Sequence, residues 1–147
     1  MQSARRFGCV LVVLMLCCMF PLTSAQLPTA PGVEIDCADK NPELDVHPLN
    51  DPTVEITCTV SNPSSFQETI SVEKEWDGLE VEMMLEDDSF ELGPGEEEDF
   101  IVTFTGQKRM SSDLSYDFTL TAIVTNVGML DWPEALATNA SVSGDLN

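Results

Sequence analysis

From Val54 to Val124 apolar and polar residues alternate in short runs separated by turn-forming residues. In the first run Val54, Ile56, Cys58 and Val60 share one face, and Glu55, Thr57 and Thr59 share the other. The same period of two recurs in Gln67–Glu75, with Ile70 and Val72 inward. It recurs where Leu79, Val81, Met83 and Leu85 alternate with Glu80, Glu82, Met84 and Glu86. Phe90 and Leu92, then Phe100, Val102 and Phe104, then Tyr116, Phe118, Leu120, Ala122 and Val124 continue it. Alternation of this kind belongs to strands with one face in a core and one in water. The punctuation is equally plain: Asn50-Asp51-Pro52, Asn62-Pro63, Asp77-Gly78 and Gly93-Pro94-Gly95 are turn sequences. Strand-sized runs at this spacing predict an all-β protein, an antiparallel sandwich of about seven to eight strands. Val33–Cys37 is expected as the first strand, Leu44–Val46 along a sheet edge, and Leu136–Val142 as the last. Trp76 follows the third run. No segment carries the period of a helix longer than one turn.

The ends read differently. Arg5 and Arg6 precede an uncharged, mostly apolar stretch from Phe7 to Phe20, and Thr23-Ser24-Ala25 offers small residues for cleavage. This is the layout of a secretory signal peptide, with an uncleaved N-terminal anchor as the alternative. The expected organisation is signal peptide 1–25, extended lead-in 26–32 carrying Pro28 and Pro31, one sandwich domain 33–142, and a flexible tail 143–147. Of the 5 cysteines, Cys9, Cys17 and Cys18 lie in the leader. Cys37 and Cys58 remain, an even pair in an oxidising compartment, so a Cys37–Cys58 disulfide is expected.

The order of the turn and strand motifs is familiar. Val60-Ser61-Asn62 ends one strand, and Glu68-Thr69-Ile70-Ser71-Val72 forms the next. Leu92-Gly93-Pro94-Gly95-Glu96 then turns the chain into Phe100–Thr103, and Tyr116-Asp-Phe-Thr-Leu-Thr-Ala122 follows. In this layout the chain resembles the small Ig-like modules of secreted bacterial and archaeal proteins. The nearest is the domain associated with α-galactosidases, with the cell-adhesion-related bacterial domain as a neighbour. The resemblance implies an immunoglobulin-like topology and a role as spacer, adhesion unit or accessory domain. Asp113-Leu114-Ser115-Tyr116 stands where a tyrosine corner would stand, while Phe118 occupies the position of an immunoglobulin domain's second cysteine.

Charge narrows the partners. The chain carries 26 acidic residues and a formal net charge of −20. All the acids lie beyond the leader, where only Lys40, Lys74, Lys108 and Arg109 oppose them. Nucleic acids and anionic membranes need a basic footprint, so neither is an expected partner. No catalytic constellation is present. His47 is the only histidine and precedes Pro48, with no nucleophile motif or metal-ligand spacing around it. Two carboxylate runs, Glu86-Asp87-Asp88 and Glu96-Glu97-Glu98-Asp99, offer oxygen donors of the kind Ca²⁺ takes, without EF-hand spacing. The expectation is a solvated coat and no cofactor, with a Ca²⁺ site as the alternative. Met129, Leu130 and Trp132 place apolar bulk in a loop, either a candidate partner contact or a segment that folds back to close the open end of the core. Asn139-Ala140-Ser141 is a glycosylation sequon. The expected function is a secreted, non-enzymatic binding or structural module of the extracellular space or cell surface, its partner a protein or a polysaccharide. The alternative is an accessory carbohydrate-recognition module, for which Trp76 and Trp132 are the aromatic candidates.

N-terminal sequencing of the exported protein is expected to start at Gln26 or within a residue or two of it. An intact Met1 end in the membrane fraction would show the anchor instead.

Overall fold

The structure, a computed structural model, describes residues 30–108, 115–136 and 138–147. The leader, most of the lead-in, Arg109 and the Asp113-Leu114 part of the expected tyrosine corner lie outside these residues. Among the described residues nine strands are formed: β1 Glu34–Cys37, β2 Thr53–Ser61, β3 Glu68–Trp76, β4 Val81–Leu85, β5 Ser89–Leu92, β6 Glu97–Gly106, β7 Tyr116–Val127, β8 Leu130–Asp131 and β9 Asn139–Leu146. One sheet has the order β1-β2-β6-β4. The other has the order β5-β3-β7, with β9 and the short β8 against the far side of β7. Every strand pair is antiparallel.

The inner faces are the ones the alternation predicts. Ile56, Cys58 and Val60 of β2 meet Phe100, Val102 and Phe104 of β6 in one sheet, and face Ile70, Val72, Phe118, Leu120, Ala122 and Val124 of the other. Aromatic rings fill both ends of the core. Trp76 stands against Phe104 at 5.4 Å and Tyr116 at 5.6 Å, Phe104 against Phe118 at 5.2 Å, and Phe90 against Phe100 at 5.2 Å. Tilted rings at these separations add to the burial of their area.

The Cys37–Cys58 disulfide is present. The amide of Ala38 donates to the carbonyl of Thr57, so Cys37 and Cys58, one step along, form a pair that exchanges no main-chain bonds. Side chains approach most closely at such pairs; here the Cα atoms are 4.0 Å apart. The bridge therefore lies within one sheet rather than between the two.

Three expectations fail. Leu79 continues the alternation but lies outside any strand and is 95% exposed, because β4 begins only at Val81. Leu44–Val46 forms no strand. Instead the preceding residues lie along the end of β9: Asp145 donates to Lys40, Asn147 to Pro42, and Leu44 to Asn147. That stepping is the pattern of a parallel ladder. The last strand is displaced as well. Where it was expected to begin there is a single 3₁₀ turn, Glu134–Leu136, and β9 runs on to Leu146, which is buried. The residues expected to fray thus close the side of the sandwich.

Gly144 is the tightest point of that closure. It pairs with Phe118, and a Cβ there would stand 2.2 Å from the Lys40 carbonyl oxygen and 2.7 Å from Phe118 Cζ. Gly144→Ala is expected to cost about 1–3 kcal/mol through overpacking. Phe118→Ala should cost about 3–5 kcal/mol, and Thr119→Ala, on the outer face, about 0.5 kcal/mol or less. Denaturant unfolding measures all three. A Gly144→Ala protein as stable as the parent would contradict the packing described.

Candidate functional site

The turns at one end of the sandwich are held by buried polar groups. Asn62 is fully buried. Its Nδ2 donates to the carbonyls of Phe66 at 2.7 Å and Leu92 at 3.0 Å, and its Oδ1 accepts from the Ser64 amide at 2.9 Å. Its main chain bonds Glu96 and Gly95. One side chain therefore joins the β2–β3 turn to the β5–β6 turn, where Gly95 takes a positive φ of 72°. Glu68, also buried, accepts from Ser64 Oγ at 2.6 Å and from the Gly32 amide at 3.2 Å. These bonds explain the Val-Ser-Asn and Leu-Gly-Pro-Gly-Glu motifs in physical terms: buried amides and carboxylates need protein partners.

This frame carries an apolar tip. The Gly128 amide donates to the Gln67 carbonyl at 2.7 Å, fixing the β7–β8 hairpin beside the β2–β3 turn. Gly128 has φ 59°, a conformation that glycine adopts without strain. The next two residues project into solvent, Met129 at 101% and Leu130 at 74% exposure. Leu136 is 60% and Phe66 38% exposed at the same end. Trp132 is different. It is half-buried against the core, and its Nε1 donates to the Leu136 carbonyl at 3.0 Å. Of the three expected contact residues, Met129 and Leu130 are presented to solvent and Trp132 braces the loop beneath them. Phe66 and Leu136 were not singled out from the sequence, because only the Gly128–Gln67 contact shows that two distant turns share one end.

The carboxylate runs do not gather. Glu96 folds back to accept from the Gly93 amide at 2.8 Å, and Asp99 accepts from Thr59 Oγ1 at 2.6 Å. Glu97 and Glu98 remain exposed on β6. Glu86, Asp87 and Asp88 form the β4–β5 turn around a surface depression of about 300 Å³ shared with Val72, Lys74 and Leu85. The Lys74 ammonium in that lining opposes a second cation. Among the described residues no group of three or more histidines, cysteines or carboxylates is arranged to hold a metal ion. His47 is exposed in a turn, where its Nδ1 accepts from the Leu49 amide at 3.3 Å. Asn139 is exposed as the first residue of β9.

Two further side chains act on a sheet edge. Trp76 Nε1 donates to the Val81 carbonyl at 2.9 Å, and the Lys74 ammonium donates to the Met83 carbonyl. Both carbonyls lie on the open side of β4.

No protein-family model matches the sequence, and no curated protein matches it. The fold is similar to PapD-like domain 7 of human CEP192, at 13% identity and a TM-score of 0.50, over 86% of this chain and 88% of that one. It also overlaps the periplasmic chaperone SfaE, at 10% identity and a TM-score of 0.48, over 77% of this chain and 57% of that one. A FixG-related protein from Vibrio parahaemolyticus matches at 14% identity and a TM-score of 0.42, over 78% of this chain and 94% of that one. The likeness to the CEP192 domain identifies the architecture as a PapD-like, Ig-like β-sandwich. At such identities it is a likeness of fold.

Two carboxyls of the acidic surface oppose each other. Asp117 and Asp145 stand opposite each other on β7 and β9. A hydrogen bond to the Asp145 carboxyl, then its charge, raises the pKa of Asp117. Asp36 and Asp45 move the other way. The first is lowered by its hydrogen bond to Lys40 and by that ammonium's charge, the second by the His47 amide and the Asn50 side chain. A carboxyl with a raised folded pKa binds its proton more tightly in the folded chain, so its contribution to stability grows as pH falls toward that pKa. Asp145→Asn is therefore expected to raise the melting temperature at neutral pH, with an advantage over the parent that shrinks as the medium is acidified. An advantage independent of pH would mean the two carboxyls do not interact.

Proposed function

We propose that this chain is an exported, non-enzymatic Ig-like module that binds an extracellular protein partner through the tip formed by Met129 and Leu130. The observation that carries the reading is the full exposure of Met129 on a hairpin fixed from beneath by Gly128 and Trp132. Exposed apolar bulk on a rigid mount is the composition of a contact anchor. Asp131 and Glu134 flank the tip and are exposed. The surface it fits is an apolar pocket rimmed by Lys and Arg, which would favour encounter with a chain of net charge −20. The Cys37–Cys58 disulfide supports an oxidising location.

The accessory carbohydrate role implied by the resemblance to the α-galactosidase-associated domain has less support. Sugar platforms present aromatic faces, whereas Trp76 and Trp132 are both half-buried with their indole N–H groups bonded to main-chain carbonyls.

A photo-crosslinking residue at position 129 is expected to yield one discrete protein adduct in cultures of the producing cell, and the same residue at Glu55, on the outer face of the other sheet, none. Leu130→Asp should abolish the adduct. Met129→Ser with Leu130→Ser should change stability by about 0.5 kcal/mol or less, as for surface positions. Equal labelling from both positions would sink the proposal.

A further inference from the structure

The bonding of β9 leaves part of its outer edge open. The amide of Val124 donates to the Thr138 carbonyl. With the unbroken register that follows, Ala140, Val142, Gly144 and Leu146 turn their main-chain groups toward β7. Those of Asn139, Ser141, Ser143, Asp145 and Asn147 therefore point away from the sheet. The outward direction is seen directly at Asp145 and Asn147, whose amides donate to Lys40 and Pro42. Among the described residues nothing pairs with the outward groups of Asn139, Ser141 and Ser143.

The other edges are guarded. The outward carbonyls of β4 are occupied by Trp76 and Lys74. β5 has 4 residues, includes Glu91 and follows Asp87 and Asp88. β1 also has 4 residues, and the chain beyond it crosses to the end of β9. Asn139–Gly144 has no charge, no proline and no bulge. Proteins blunt such edges when they are not used, since unpaired amides and carbonyls template another strand.

We propose that the Asn139–Ser143 edge of β9 accepts an extended, basic strand of a partner protein as an additional strand of the sheet. Electrostatics selects the occupant. A second copy would bring a further −20 to the same edge, and self-repulsion of that size keeps the edge from pairing with itself. A strand bearing Lys or Arg is drawn by that same net charge, and its side chains lie beside the Ser141 and Ser143 hydroxyls, with Asp145 next along β9. Those hydroxyls are already aligned by bonds of 2.9 Å to Thr121 and Thr119. The intervening side chains would turn inward over Ala140 and, since β1 lies beside β9, toward Ile35; both are half-buried. The partner segment is thus one that alternates apolar and basic residues, recognised by strand addition. This surface is separate from the Met129 tip.

The test uses a nine-residue peptide alternating Lys and Val, with an alternating Glu and Val peptide as its counterpart. The Lys peptide is expected to bind and to slow amide exchange at Ser141 and Ser143, and the Glu peptide to do neither. Ser141→Pro removes an outward donor without touching the β7 ladder, since proline is tolerated where the N–H faces away from the sheet. It should weaken binding by about tenfold, the scale of one ladder bond. Ser141→Ala, which keeps the amide, should not. Slowed exchange in the unmodified protein reads the edge even if the proline variant fails to fold. Binding that ignores Ser141→Pro while perturbing amides across the acidic surface would overturn the proposal, as would concentration-dependent pairing of β9 with its own copy.

Discussion

The buried amide of Asn62 is the constraint on which one end of this molecule depends. Its polar atoms are out of reach of water, so each must find a partner in the chain. They find Phe66, Leu92 and Ser64. The chain can satisfy all three only if the β2–β3 turn and the β5–β6 turn come together, and each of those turns crosses from one sheet to the other. Glu68 adds Ser64 and Gly32 to the same cluster. The hairpin bearing Met129 then rests on the main chain of Gln67, one residue from that carboxylate. The exposed tip thus has a fixed base, which polar bonds supply where the apolar core has already ended.

The opposite problem, an excess of unsatisfied edge, is handled strand by strand. Lys74 and Trp76 reach from one sheet to carbonyls of the other, closing β4 without adding a strand. Short strands and carboxylates serve elsewhere. The overall acidity adds to this, because like-charged copies repel one another. The same acidity has a local cost where Asp117 faces Asp145 and the neighbouring carboxyl raises its pKa.

Much of the fold was legible because period-two alternation is a local signal. β2 spans the Val54–Val60 run with one residue more at each end, and the inward row Phe118, Leu120, Ala122 and Val124 of β7 is buried as read. What escaped has no local signal. Ser143-Gly144-Asp145-Leu146-Asn147 reads as a polar tail, and only the approach of Lys40 and Phe118 shows why glycine stands at 144. Leu79 obeys the alternation and is exposed, since the pattern does not mark where a strand starts. The apolar loop residues Met129 and Leu130 were legible from composition. Their neighbours Phe66 and Leu136 were not, because that proximity is a property of the topology. The acidic runs were visible as runs, but their division into the turn cap of Glu96 and the cross-strand bond of Asp99 depends on register.

The lateral seam has a kinetic meaning. Lys40–Leu44 docks on Asp145–Asn147, so the described part of the chain is closed by joining residues near its beginning to residues at its end. Contacts of such sequence separation are entropically costly and form slowly. The Cys37–Cys58 bridge shortens that search, for it holds Cys37 against β2 and leaves only a few residues free to find β9. Until the seam forms, β9 has an edge open along its whole length. The order of events therefore decides how long a nascent molecule is vulnerable to pairing with the wrong strand, and a disulfide that lies within a single sheet becomes a timing element as well as a brace.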